Sequence, residues 1–218
     1  MKTKRFINVK IIITIVIKMI TILKTGYYNI LKLFYKNKKI RLHFREIARQ
    51  TSLHEPSAAR ILKQLEKENL LQSEKQGNLK IFSLKDIKPA YTVLTLFDIE
   101  KYERLPHIRK TAIKHYLNAL PQQPVFALLF GSTAKENFRE DSDIDILLVT
   151  NTPIDTKKAE YEADAQSAMK ISTFQMTYKS FIQELKLKND PVIQSAMHTG
   201  YPLINHIKYY EAIRDETA

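Results

Sequence analysis

The stretch 130-FGSTAKENFREDSDIDILLV-149 decides how the C-terminal half of this chain is read. Its first residue ends an apolar run, "VFALLF" from Val125 to Phe130, and unbroken apolarity of that length predicts a buried strand. The strand stops at Gly131-Ser132, and "STAKENF" then reads as a short helix with Ser132 as its N-cap. A strand, a tight glycine turn and a helix start leave several backbone N–H groups pointing outward at the positive end of a helix dipole. That arrangement cradles phosphate. Gly131 lets a ligand approach the backbone with no Cβ in the way, and the Ser132 hydroxyl adds a donor. The chain returns through "REDSDIDILLV", where a strand would place Asp143 and Asp145 on one face and Ile144 and Ile146 on the other. Neighbouring carboxylates repel unless a cation lies between them. Donors that are all oxygen favour Mg2+ or Mn2+ over zinc, and such an ion keeps positions open for triphosphate oxygens.

Gly-Ser, a ten-residue spacer and Asp-x-Asp on a strand together resemble the signature of the minimal nucleotidyltransferases, members of the DNA-polymerase-β-like superfamily. With lower specificity the resemblance runs on through "FIQELKLKNDPVIQSAMHTGYPL", similar to the helical tails of archaeal and bacterial members, and covers about residues 28–210. It implies transfer of a nucleoside monophosphate from a triphosphate to a hydroxyl, with release of pyrophosphate. By the same resemblance Gly131 and Ser132 hold phosphates and Asp143 and Asp145 hold the metal. Lys135 and Arg139 either neutralise phosphate charge or are plain surface residues. The family also has a third carboxylate on the following strand, expected here in "MKISTFQMTY" (Met169 to Tyr178), which contains no acid. Glu162 and Asp164 lie upstream on an expected helix. Two outcomes therefore stand: a slow enzyme, or a regulator whose degenerate nucleotidyltransferase domain senses nucleotide. Some minimal nucleotidyltransferases are antitoxins that modify a helical ribonuclease toxin of the HEPN type, so the resemblance implies such a partner.

The charge is unevenly placed. The net formal charge is +12, yet residues 1–85 carry 19 basic and 5 acidic side chains, a balance of +14, while residues 86–218 stand at −2. A polyanionic partner is therefore expected for the N-terminal part. There, "YNILKLFY" reads as a first helix, and "RLHFREIARQTSL" as a second with Phe44, Ile47 and Ala48 on one face. "HEPSAARILKQLEKENLL" reads as a third, with Pro56 in its first turn and Ala58, Leu62 and Leu65 inward. The following "LLQSEKQGNLKIFSL" reads as a hairpin turning at Gly77-Asn78, with Leu79 and Ile81 alternating against Lys80 and Phe82. Helix, helix-turn-helix and hairpin resemble a winged-helix domain, and winged helices are familiar ahead of this nucleotidyltransferase domain. In such a domain the second helix of the pair enters the major groove. Ser57, Arg60, Gln64 and Lys67 would face DNA with Lys63 at the edge, and Lys75 and Lys80 of the hairpin would meet phosphates.

The expected fold class is α+β: a winged helix-turn-helix, then a nucleotidyltransferase-fold α/β domain with a small mixed sheet and flanking helices. The expected divisions are an apolar segment at 1–26, the winged helix at 27–85, a helical connector at 86–104 and the nucleotidyltransferase domain at 105–218. In the connector Val93, Leu94, Leu96 and Phe97 pack against a neighbour or a second copy, so a homodimer is one reading. After Pro106, "IRKTAIKHYLNAL" reads as a helix with Ile108, Ala112, Tyr116 and Leu120 aligned. The C-terminal "NHIKYYEAI" reads as a packing helix, with Gly200 capping the one before it. The absence of cysteine excludes disulfides and thiolate metal sites and fits a reducing cytoplasm. In the apolar N-terminal segment Lys18 interrupts the run short of the roughly 18–20 residues that a span needs, so no membrane partner is expected. The segment is read either as an element packed on the next domain or as residues ahead of a true start at Met19.

Overall fold

The computed structural model describes residues 25–214, and the chain divides into two compact units at Ile99 and Glu100. The apolar N-terminal segment lies outside the described residues up to position 24. Among the described residues no helix is long and apolar enough to cross a membrane.

The first unit runs α1 (Thr25–Lys36), β1 (Leu42–His43), α2 (Phe44–Thr51), α3 (Glu55–Lys67), β2 (Leu71–Gln76) and β3 (Leu79–Leu84). It continues into α4 (Lys88–Arg104), within which the division between units falls. Ile30, Leu31 and Phe34 of α1 meet Ile47 of α2 and Ile61, Leu62 and Leu65 of α3 in one core. Spacings of three and four put each set on one helix face. The sheet order is β1-β3-β2, all antiparallel. Two details differ from the sequence reading. β1 was not expected; its two residues pair with Phe82 and Ile81 of β3. In the hairpin Phe82 is the buried side chain and Leu79 is 52% exposed, because the face turned to the core is the one that also carries Ser73 and Leu71. Val93 and Phe97 of α4 join this core, and the Tyr35 hydroxyl donates to Asp98 Oδ1 at 2.9 Å.

The second unit contains α5 (His107–Ala119), β4 (Phe126–Phe130), α6 (Gly131–Ala134), β5 (Ile144–Thr150) and α7 (Lys157–Ser167). β6 (Ile171–Thr177), α8 (Tyr178–Leu187), α9 (Pro191–Thr199), β7 (Tyr201–Ile204) and α10 (His206–Arg214) complete it. Its sheet has the order β6-β5-β4-β7, with β5 and β6 parallel and the other pairs antiparallel. One face of β5, Ile144, Ile146 and Leu148, packs with Ala112, Ile113 and Tyr116 of α5 and Ala159 and Ala163 of α7. On the other face the Phe126 ring meets Phe181 of α8 at 5.1 Å and Tyr209 of α10 at 5.7 Å. α9 packs on β4 and α6. β7 was not expected; it is a short edge strand, where Pro202 is tolerated.

The face of α5 also differs from the sequence reading. The helix buries Arg109, Ala112, Ile113 and Tyr116, whereas Ile108 is 48% exposed. The inward stripe is thus rotated from the one that Ile108 suggested, and it brings a guanidinium into the interior.

Candidate nucleotide site

The site lies where β4 ends and β5 begins. In the antiparallel register Phe130 pairs with Asp145, so the residue before Gly131 sits directly across from the second aspartate. Gly131 has φ +68°, in the region that only glycine occupies without strain. A Cβ on Gly131 would collide with Asp145 Oδ2 and lie 3.0 Å from its Cγ. The glycine is thus required twice, by its backbone angle and by the carboxylate against it.

Ser132 is not the N-cap of α6. Phe130 holds that position, no side chain caps the helix, and Ser132 lies half-buried within a single four-residue turn. The chain turns into the helix at Gly131 itself, which leaves the serine two residues past the cap position. Lys135 follows as the C-cap, its N–H donating to the Gly131 carbonyl at 3.2 Å. The side chains of Lys135 and Arg139 are both exposed. Asp143 is exposed and immediately precedes β5, and Asp145 is half-buried on it. Burial, and secondarily the charge of Asp143, hold the Asp145 carboxyl above the usual range.

These residues fit an oxygen-preferring divalent cation. Partial desolvation and the neighbouring charge of Asp143 both disfavour the ionised form of Asp145, and both effects are relieved by a cation. The backbone beside them is kept clear by the missing Cβ. Among the described residues no group of three or more His, Cys, Asp or Glu gathers as a metal site.

The register of β6 shows which residues stand where a third acid is expected. Asp145 pairs with Ser172, Leu147 with Phe174 and Val149 with Met176, so the β6 residues sharing the face of Asp145 are Ser, Phe and Met. The Phe174 ring is 38% exposed and meets Phe130 at 5.6 Å. Thr173 faces the other way, its hydroxyl donating to the Tyr116 hydroxyl at 2.8 Å. Glu162 and Asp164 belong to α7, whose Ala159 and Ala163 pack on the face of β5 opposite Asp145. The sheet separates them from the aspartate pair.

One side chain of the site was not anticipated. Arg109 reaches from α5 to the segment between the two halves of the motif. Its Nη1 donates to Thr133 Oγ1 at 2.8 Å, and its Nη2 donates to the carbonyls of Arg139 and Ser142 at 2.8 and 3.0 Å. The signal available in the sequence was its spacing, three before Ala112 and four before Ile113.

In the first unit the proposed DNA-facing residues divide. Arg60, Lys63, Lys67 and Lys75 are exposed, while Ser57 and Gln64 are half-buried. Gln64 Nε2 donates to Glu68 at 2.7 Å. Lys80 is paired: its Nζ lies 2.7 Å from Glu66 Oε2, and Ser73 donates to the other oxygen of the same carboxylate.

Residues 111–207 match the family described as "Polymerase beta, Nucleotidyltransferase". That span contains β4 to β7, the Gly-Ser turn and both aspartates, and it supports a nucleotidyltransferase-type domain in this part of the chain. No curated protein and no solved structure matches the chain.

Proposed function

We propose that the chain is a metal-dependent nucleotidyltransferase fused to a DNA-binding winged helix. The observation that carries this reading is the fit of Asp145 against the Cβ-free backbone of Gly131, which joins a carboxylate pair to a phosphate cradle. In the reaction an acceptor hydroxyl attacks the α-phosphorus of a nucleoside triphosphate. A new P–O bond forms, the α–β anhydride bond breaks, pyrophosphate leaves, and the proton of the acceptor hydroxyl passes to solvent. The backbone at Gly131 and the Ser132 hydroxyl orient the phosphates, and the exposed Lys135 and Arg139 screen their charge. Asp143 and Asp145 would hold Mg2+ or Mn2+, which when bound supplies charge neutralisation at the phosphates and activates the acceptor oxygen. The acceptor belongs to a protein, RNA or small molecule, and a helical ribonuclease toxin is the protein candidate.

The first unit supports the DNA-binding part through its helix pair, its hairpin with a two-residue turn, and the open lysines and arginine along α3. The acid-free face of β6 favours a second reading, in which the domain binds nucleotide without turnover and reports it to the DNA-binding unit. Incubation with α-labelled ATP, CTP or GTP and Mg2+ separates the two. Transfer predicts a labelled product that disappears in Asp143→Ala; sensing predicts nucleotide binding, no product, and a nucleotide-dependent change in affinity for DNA.

A further inference from the structure

Arg109 is the largest of the fully buried side chains, only 1% exposed, and it makes no ion pair among the described residues. Its surroundings are one hydroxyl, two carbonyls and the Phe138 ring, 4.0 Å from the guanidinium carbon. Burial depresses its pKa, with no carboxylate to offset the desolvation. A charge buried on such terms is costly, and an apolar side chain would fill the space more cheaply.

Every partner of the guanidinium lies between Ser132 and Asp143, the spacer of the motif. Within it, residues 139–142 close on themselves: the Ser142 N–H donates to the Arg139 carbonyl at 3.1 Å, and the Arg139 N–H donates to Ser142 Oγ at 3.0 Å. The carbonyls of Arg139 and Ser142 at the two ends of this turn accept from Arg109 Nη2, while Nη1 holds Thr133, two residues past Gly131. The spacer is thus tied at its two ends to one planar group, whose own backbone is fixed by Ala112, Ile113 and Tyr116 in the core. No other side chain offers enough donors in a rigid fork to do this. Arg109 precedes the span that matches the nucleotidyltransferase family.

We propose that Arg109 is a positioning residue for the nucleotide site: it fixes the spacer so that Gly131-Ser132 and Asp143-Asp145 face one ligand, and its uncompensated charge biases that site toward a polyanion. The second half rests on the reading of the site given above. The two halves are separable with Arg109→Met, which removes fork and charge, and Arg109→Lys, which keeps the charge but not the fork.

The test uses the full chain and two measurements. In amide hydrogen exchange, both variants speed exchange at Arg139 and Ser142 by about tenfold or more, with Leu128 in β4 as the unmoved reference. In titrations followed by the Mn2+ resonance, with Mn2+ and ATP as the probe, Arg109→Met weakens binding by about tenfold and Arg109→Lys by clearly less. Wild-type exchange at both amides in both variants overturns the proposal, whatever happens to binding. Equal weakening by Lys and Met overturns the charge component alone. Should the wild-type chain bind no Mn2+–ATP, the reading of the site falls, and the exchange result still decides whether Arg109 holds the spacer. If Arg109→Met does not fold, Arg109→Lys carries the exchange test alone: faster exchange at Arg139 and Ser142 supports the proposal, and wild-type exchange at both overturns it.

Discussion

At Gly131 a positive φ and the carboxylate of Asp145 impose the same requirement from two directions. Alanine would have to adopt the left-handed region and also displace Asp145, so Gly131→Ala acts on both halves of the site. The left-handed backbone costs about 1–2 kcal/mol, and the collision adds to it. A lowered Tm together with loss of Mn2+–ATP binding is the expected result; a variant that binds normally would show that Asp145 has no role in holding ligand. Asp145 itself yields a pH prediction. Its folded-state pKa lies above the unfolded one, so across the carboxylate range the folded chain binds more protons than the unfolded chain. In a chelator this carboxyl therefore contributes stability that is fully present at the acid end and fades as pH rises. Asp145→Asn removes that dependence, so the Tm difference between variant and wild type grows in favour of the variant from about pH 4 to pH 7. Adding Mg2+ and ATP at pH 7 raises the wild-type Tm and leaves the variant unchanged.

The helix α5 shows where reading a helix from periodicity stops being enough. Two stripes share Ala112 and Tyr116: one begins at Ile108, the other takes in Arg109 and Ile113. Apolar character picks the first, but the sheet and the spacer that α5 packs against select the second. Urea unfolding separates them. Ile108→Gln changes stability by about 0.5 kcal/mol or less, whereas Ile113→Ala, which leaves a cavity at a residue with no exposure, costs about 2–5 kcal/mol. The same contrast governs what was legible elsewhere. β4 is uniformly buried, and β5 is buried at every residue but Asp145, so their local patterns carry their own evidence. β1 has two residues and β7 four, including a proline; each exists because a distant strand offers it hydrogen bonds. The Gly-Ser turn and Asp-x-Asp were visible for the same local reason. Arg109 was not, since its hydroxyl partner lies 24 positions away and only the folded chain brings them together.

Across the whole chain, the concentration of basic residues in the first 85 positions overstates the charge free to meet a polyanion. Glu66 takes up Lys80, and Arg41 is paired with Glu74 across the sheet. Lys63 and Lys67 of α3 and Lys75 of β2 remain exposed, as does Arg60 on α3. If this unit binds duplex DNA through phosphates, each free lysine releases about one counterion, and the logarithm of affinity falls with the logarithm of salt in proportion to their number. Lys63→Ala and Lys75→Ala should each reduce that slope by about one. Lys80→Ala should reduce it by much less, because Glu66 already neutralises that ammonium group. Glu66→Gln should do the reverse, steepening the slope and tightening binding at low salt by freeing Lys80. Fluorescence anisotropy of the full chain on a labelled duplex over a salt series measures all four. Slopes unchanged by Lys63→Ala and Lys75→Ala would mean that the charge excess of this unit serves something other than a nucleic-acid backbone. Equal losses at Lys75 and Lys80 would mean that the Glu66 pair opens when DNA arrives.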